Sequence, residues 1–415
     1  AVALPTQAKH NKGDVIIEWN AIAQRSTFGP PFPQARIHAM VQIAMADAVI
    51  AIEGRYEPFH AKVPASGNAN AQAAAAQAAH DILVATIPAG TAGFDAALEA
   101  SLAGMGNDGL QEGRRVGRKV AAKILAWRQF DGLSAANPQP SPLLPSQLPG
   151  IWQQTGSGPA LYAAYGDVAP FGLLSSTQFL PVPMPQLDSA AYAADFNDVR
   201  LVGAVDSATR TERQTMLAKF IASAPGATDN VTNPLRVWHN VVADTARSQN
   251  LSLVKTARLF ALVTASIHDS LQTAHTSKFI YRLWRPVTAV VNADIDDNVD
   301  TAADPAWQPL LFTPPYPSHS SNAACIGTGA ARMLANVLGN DAIPFEAKWY
   351  ASNDATEPLH AEPYARFSAF AHDFGSSRVW GGIHFRFEID ASEVSCTQVA
   401  DFIFDTRMRR APGGH

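Results

Sequence analysis

The sequence predicts an all-α chain of two helical-bundle halves joined by a long proline-rich irregular segment. Apolar residues recur at helical spacing through most of its 415 residues. No succession of alternating Val/Ile/Thr segments with hairpin turns is present to build sheets. A short internal likeness pairs Met40-Val41-Gln42-Ile43-Ala44-Met45-Ala46-Asp47-Ala48 with Leu262-Val263-Thr264-Ala265-Ser266-Ile267-His268-Asp269-Ser270; aligned on the Asp, it brings Tyr56 and Lys278 to the same offset. The divisions that follow are an N-terminal helical half over 1–132, a proline-rich wrap over 133–188 and a C-terminal helical half over 189–415.

In order, helices are expected over 14–24 and 34–53, the second with Ile37, Met40, Val41, Ala44, Met45, Ala48 and Ile52 on one broad face. The alanine-rich stretch 69–86 is a third, because Ala has the highest helix propensity and permits close packing. Two more cover 93–102 and 109–130, the latter with Lys123 and Arg128 where the helix dipole favours positive charge. Ten prolines from Pro138 to Pro185 then interrupt any regular element. Trp152, Leu161, Tyr162, Tyr165, Phe171, Leu173, Phe179 and Met184 are too many large apolar residues for a solvated tether, so an ordered wrap is expected. Helices resume over 189–202, 207–223, 234–249 and 252–276, and again over 322–338, 363–378 and 385–406. The ends, 1–12 and 411–415, read as loose.

The chemistry gathers between Lys278 and His384. Three blocks stand there in order: Lys278-Phe279-Ile280-Tyr281-Arg282-Leu283-Trp284-Arg285-Pro286, Tyr316-Pro317-Ser318-His319-Ser320-Ser321-Asn322-Ala323, and Ser377-Arg378-Val379-Trp380-Gly381-Gly382-Ile383-His384. Arg285 and Arg378 present forked, permanently charged donors suited to two oxygens of a phosphate-like group, and Lys278 adds a point charge. The serines from Ser318 to Ser321 precede a small-residue run that reads as a helix start, where free N–H groups and the dipole attract anions. His384 follows a Gly-Gly pair that lets the backbone approach a ligand, and its imidazole can coordinate a metal centre or attack phosphorus.

Lys-x6-Arg-Pro, a Pro/Ser-rich helix start and Ser-Arg-x5-His together resemble the signature shared by vanadium-dependent haloperoxidases and type 2 phosphatidic acid phosphatases. Ile17-Glu18-Trp19-Asn20, Arg55-Tyr56-Glu57-Pro58-Phe59 and Gly382-Ile383-His384-Phe385-Arg386-Phe387 look like the soluble haloperoxidase branch. The resemblance implies paired four-helix bundles and a vanadate, or a phosphate, held by Lys278, Arg285, a serine and Arg378, with His384 as the single protein ligand to vanadium. It implies oxidation of halide by hydrogen peroxide and halogenation of small organic substrates. The same pocket would serve a soluble acid phosphatase through a phospho-histidine, or a helical anion-binding protein without turnover.

The middle block departs from the familiar Pro-Ser-Gly-His. In one register Pro317-Ser318 is the Pro-Ser and Ser320 stands at the His position. In the other, which the preceding Thr313-Pro314-Pro315-Tyr316-Pro317 favours, Ser321 is the Ser, Asn322 the Gly and Ala323 the His. Neither leaves an imidazole in its usual place. His319 could swing in as the acid–base; His239, His268 or His275 could supply the proton; or the chemistry is weakened. His275 stands where relatives carry a Trp near the halide pocket. Glu388, one turn beyond His384, could orient its imidazole or lie on the surface. Asp269 and Asp244 could orient a catalytic His or serve a helix surface or cap.

A net charge of −5 favours neither nucleic acid nor an anionic membrane as partner, and no uninterrupted apolar run reaches the ~18 residues of a membrane span. A start at Ala1 without Met fits a secreted or periplasmic protein. Cys325 and Cys396 either pair or are two small buried residues. Asn230-Val231-Thr232 and Asn250-Leu251-Ser252 fit the glycosylation sequon. A large helical member of this family could be a homodimer.

Overall fold

A computed structural model describes residues 13–138, 146–155, 160–221, 234–350 and 358–411. The expectations placed on 1–12 and 412–415, on Asn230-Val231-Thr232 and on Pro140, Pro142, Pro145 and Pro159 lie outside the described residues.

The first half contains α1 (Asp14–Ser26), α2 (Pro31–Glu53), α3 (Ala71–Thr86), α4 (Thr91–Ala103) and α5 (Leu110–Arg128). The second contains α6 (Ala190–Val202), α7 (Glu212–Ile221), α8 (Pro234–Ser248), α9 (Leu253–Tyr281), α10 (Pro286–Val291), α11 (Asn322–Leu338), α12 (Phe367–Trp380) and α13 (Arg386–Thr406). Between α11 and α12 an antiparallel pair, β1 (Phe345–Tyr350) and β2 (Pro358–Tyr364), departs from the all-helical expectation. Its first strand alternates in burial, with Ala347 and Trp349 turned inward, and its short period-two pattern is masked by the helical periodicity around it.

Central to the fold is the pairing of α2 with α9, one helix from each half. Helix α2 also packs on α3 and α5; α9 packs on α11 and α13, and α11 on α12. Alanines on α3 let α5 come so close that a Cβ at Gly113 would lie 2.2 Å from the Asn70 carbonyl oxygen, and one at Gly117 2.4 Å from that of Ala74. Among the described helices α2 alone is long and apolar enough to cross a membrane, and most of its surface is covered within the fold.

The repeat aligned on Asp47 and Asp269 has a physical basis. Asp47, fully buried on α2, accepts three successive backbone N–H groups: Phe59 at 2.6 Å, His60 at 3.0 Å and Ala61 at 2.6 Å. Asp269, equally buried on α9, accepts those of Phe171 (2.9 Å), Gly172 (2.6 Å) and Leu173 (3.0 Å). In each half a helix-borne carboxylate thus captures a crossing loop whose amides would otherwise be unsatisfied in the interior. In the second half that loop belongs to the proline-rich segment, whose Trp152, Tyr165 and Phe171 are buried. Arg128 bonds the carbonyls of Ala169 (2.6 Å) and Pro170 (3.2 Å) from the other side. Further toward the chemistry, Trp152 N–H donates to the Arg282 carbonyl (2.7 Å) and Trp284 N–H to that of Gly150 (3.0 Å).

Three boundaries differ from expectation. Helix α9 continues through Lys278 to Tyr281, where Arg282 adopts a left-handed conformation and its N–H closes on the Lys278 carbonyl. Helix α7 begins at Glu212 because Thr211 and Gln214 cap each other reciprocally. Helix α12 begins at Phe367 because Pro363 and Tyr364 belong to β2.

Cys325 on α11 and Cys396 on α13 form a disulfide, buried against Ala274 of α9. It closes a 71-residue separation, for which loop-closure entropy gives about 4 kcal/mol of stabilisation. The double substitution Cys325→Ala/Cys396→Ala is expected to lower the urea midpoint of unfolding accordingly, and reductant is expected to shift the wild type and leave the double variant unmoved.

Candidate functional site

Lys278 lies in the last turn of α9 with its side chain fully buried; its ammonium donates to the carbonyls of Ser318 (2.6 Å) and Ser320. Arg285 is the N-cap residue of α10, followed by Pro286, which needs no N–H partner at the first helical position. Its buried guanidinium donates from Nε to the Tyr316 carbonyl (2.9 Å) and from Nη1 to the Ile383 carbonyl (2.9 Å); Nη1 also lies 3.2 Å from His384 Nε2. Nη2 has no partner among the described residues. Arg378, in the last turn of α12, bonds the Ser377 hydroxyl from Nε (3.0 Å).

The chain leaves α12 through Gly381-Gly382, and both glycines are sterically required. A Cβ at Gly381 would lie 2.3 Å from Leu311; at Gly382, which has a φ of 75°, it would lie 2.4 Å from the Gly203 carbonyl oxygen. This tight exit delivers His384 to the three cations. Its Nδ1 lies 2.7 Å from Glu388 Oε2, which also accepts the Phe385 N–H (2.8 Å) and the Ser318 hydroxyl (2.9 Å). Glu388 is wholly buried rather than on the surface. Burial pushes its carboxyl up to about 7, against the pull of Lys278 and Arg285. Burial, then Arg285, Lys278 and Arg378, hold His384 well below the usual imidazole range. The ring is therefore neutral, with Nδ1–H donating to Glu388 and the Nε2 lone pair facing Arg285.

The charge balance sets the chemistry. Burial, reinforced by Arg285, drives the Lys278 ammonium well below its ordinary value, and burial lowers both arginines, Arg378 to about 10. Their bonds go to carbonyls, a hydroxyl and an imidazole. Among the described residues the carboxylate that Lys278 and Arg285 feel is Glu388, itself weakened as a counter-ion. Such a donor set fits an oxyanion, whose oxygens would take Arg285 Nη2 and the ammonium, while Nε2 offers one ligand to a central atom. Vanadate meets both conditions. Among the described residues there is no cluster of three or more His, Cys, Asp or Glu to hold a bare cation.

The middle block divides. Ser318 joins His384 and Glu388, its hydroxyl 3.5 Å from His384 Nδ1. Ser321 is the N-cap of α11, accepting the Ala324 N–H at 3.3 Å. Asn322 opens α11 and directs Nδ2 to His275 Nδ1 at 3.4 Å. His319 turns away: its Nε2 lies 2.8 Å from the Val182 carbonyl, its ring packs edge-on against Tyr281, and burial lowers it to about 4. His275 lies among Phe32, Phe279 and Tyr316, with Nε2 3.1 Å from the Leu161 carbonyl; burial and Lys278 hold it down to about 3.

The other candidate proton donors are placed elsewhere. His239 pairs with Asn20 (2.6 Å) beside His38, and His268 lies between Asp269 (2.8 Å) and the Tyr165 hydroxyl (2.9 Å). Asp269 anchors the wrap, and Asp244 makes a partly exposed ion pair with Lys348 (2.9 Å). Sequence reading left the Tyr316 side chain out of the site. Its ring centroid lies 5.5 Å from the Lys278 ammonium and 5.1 Å from the Arg285 guanidinium, and the signal was its place in the Pro-Pro-Tyr-Pro run directly before the serines.

A family model for the VCPO second helical-bundle domain matches residues 258–413, the span that holds Lys278, Arg285, Ser318, Arg378, His384 and Glu388. Residues 258–413 thus form a domain of that family. The whole chain is similar in fold to a bacterial vanadium-dependent iodoperoxidase (TM-score 0.80, 22% identity, 96% of each chain covered). It is also similar to a bacterial vanadium-dependent chloroperoxidase solved in holo form (TM-score 0.69, 15% identity, covering 97% of this chain and 94% of that one) and in apo form (0.69, 14%, 97% and 96%). No curated protein sequence matches it.

An anion entering this site favours the charged form of Lys278, against the burial and the Arg285 charge that lower it. Inorganic phosphate binding at mildly alkaline pH is therefore expected to take up protons, as read by calorimetry in buffers of different ionisation enthalpy. Lys278→Met is expected to bind more weakly and to lose that uptake.

Proposed function

We propose that the protein is a vanadium-dependent haloperoxidase that uses hydrogen peroxide to oxidise halide and so halogenates small organic substrates. The observation that carries this reading is the group of Lys278, Arg285 and Arg378, buried with no strong counter-ion among the described residues, around a neutral imidazole whose Nε2 faces them. Its relatives in fold are named as vanadium-dependent iodo- and chloroperoxidases, which supports the same reading.

In this reading His384 Nε2 is the protein ligand to vanadium. Glu388, bonded to Nδ1, fixes the tautomer and the ring plane. Lys278, Arg285 through its unpaired Nη2, and Arg378 neutralise the oxygens. Ser318 and the opening turn of α11 at Ser321 and Asn322 add hydrogen-bond donors at the rim. Bound vanadate supplies a Lewis acid that polarises peroxide toward attack by halide without changing its own oxidation state. The buried Cys325–Cys396 bond supports a site of action outside the reducing cytoplasm, secreted or periplasmic.

Peroxide-dependent bromination or iodination of a dye is expected only after vanadate is added to metal-stripped protein. It should fall to background in His384→Ala. Glu388→Gln is expected to lose roughly 10- to 100-fold in vanadate affinity or activity. Halogenation that persists without vanadate, or survives in His384→Ala, would sink the proposal.

A further inference from the structure

The outer face of α5 carries charge that the helix does not need. The helix holds six cations, Arg114, Arg115, Arg118, Lys119, Lys123 and Arg128, against a single carboxylate, Glu112, in a chain whose net charge is −5. Val116, Val120 and Ile124 are buried against the bundle, while Arg115, Arg118, Lys119, Ala122, Lys123 and Ala126 are exposed. At about 100° per residue the exposed positions share one side of the helix.

This arrangement works against the helix itself. Arg114 with Arg118, Arg115 with Lys119, and Lys119 with Lys123 are like charges at i, i+4, a spacing that lowers helix stability. The ion pairs that α5 makes among the described residues are Arg115 with Glu112 and Arg128 with Asp131. Arg118, Lys119 and Lys123 are left to solvent.

The face continues past the end of the helix. Gln129 keeps helical dihedrals, so Phe130, two turns after Lys123, extends the same side. Its side chain is 89% exposed. Its position is nevertheless fixed, because the next residue, Asp131, is bonded by Arg36 Nε at 2.5 Å and by Arg128 Nε at 2.9 Å. Close by, His60 stacks flat on Trp127 with ring centroids 4.1 Å apart. Burial, then the charges of Lys123, Arg407 and Arg128, hold the His60 imidazole below its usual range, so the positive potential reaches round the C-terminal end of α5.

Unpaired cations along a convex helix, with a fixed aromatic ring protruding at its end, complement a layer of anionic headgroups over an apolar interior. The small side chains of Ala122 and Ala126 let the helix lie close to such a layer. A second copy of the chain docked through the same face would set these cations against their own kind.

We propose that the outer face of α5 docks the protein on an anionic lipid surface, with Arg118, Lys119 and Lys123 against the headgroups and the Phe130 ring entering the interface. The inference uses the first half of the chain and none of the groups around His384, so it stands or falls apart from the functional reading.

The test is co-sedimentation of the full chain with vesicles of phosphatidylcholine alone and of phosphatidylcholine and phosphatidylglycerol in equal parts, at low and high salt. Wild type is expected to bind the anionic vesicles and to be released by salt, which screens exposed charge. Lys119→Ala/Lys123→Ala keeps good helix formers and is expected to bind roughly 30-fold more weakly, about fivefold for each lysine. Phe130→Ser is expected to weaken binding while its salt dependence persists. Lys255→Glu, at an exposed position on α9, changes the net charge as much as the double variant does and is expected to bind as wild type. Thermal melts of the three variants are expected to match that of the wild type.

Absence of binding to the anionic vesicles, or equal binding to both compositions, would overturn the inference. A loss in Lys255→Glu as large as in the double variant would overturn it too, since net charge and not this face would then be responsible. Binding of duplex DNA through these lysines, in place of vesicles, would assign the face to a different polyanion.

Discussion

Three cations buried around one imidazole, with no strong counter-ion among the described residues, are the constraint on which the rest depends. Removing an ammonium or guanidinium from water costs several kcal/mol even after relaxation, and here the like charges also repel. The chain meets this cost with backbone carbonyls. Lys278 draws in those of Ser318 and Ser320, and Arg285 those of Tyr316 and Ile383. Such dipoles solvate a cation without neutralising it. The positive potential survives into the folded state, and an anion is the species that relieves it.

Carbonyls can act this way only if the loops that carry them are rigid, and the surrounding architecture supplies that rigidity. The Ile383 carbonyl comes from the tight Gly381-Gly382 exit of α12. Those of Ser318 and Ser320 come from the loop that enters α11, whose start is tied to α13 through Ser321 N–H and Ser392 at 3.0 Å and whose second turn is bonded to α13 by the disulfide. Behind Arg285, the pairing of residues 150–152 with 282–284 joins the proline-rich segment to the strip between α9 and α10. Asp47 and Asp269 show that both halves secure a crossing loop by one device. At the offset of Lys278 the first half has Tyr56, whose ring instead lies 4.8 Å from the Arg258 guanidinium.

Much of this was legible in the sequence, for separable reasons. Helix periodicity is local, and the expected segments match the helices to within a few residues except where a cap or a strand intervened, as at Thr211 and Tyr364. Lys278, Arg285, Arg378 and His384 were singled out because the spacing of their blocks resembles a family signature, and the structure brings the three cations to His384. What could not be read depended on side-chain direction. Nothing in the order Ser318-His319-Ser320-Ser321 tells that the first hydroxyl meets Glu388 while the imidazole turns to Val182. The six-residue helix α10 and the β1–β2 pair were missed because elements so short carry too few residues for a period to emerge against a helical background.

Glu388 shows how the charge constraint reaches the ligand itself. A carboxylate placed among three cations would ordinarily ionise and quench them. Here burial works in the other direction and pushes the carboxyl up to about 7, while its Oε2 takes three hydrogen bonds from His384, Phe385 and Ser318. It can therefore align His384 and lend electron density to Nε2 without cancelling the field that holds the anion. The longer Glu side chain also suits the bond it makes, since position 388 is the third residue of α13 and its carboxylate must reach back past the helix start to the Phe385 N–H as well as to the ring. One side chain thereby caps α13 and sets the tautomer of His384, and the helix end and the ligand become one structural unit.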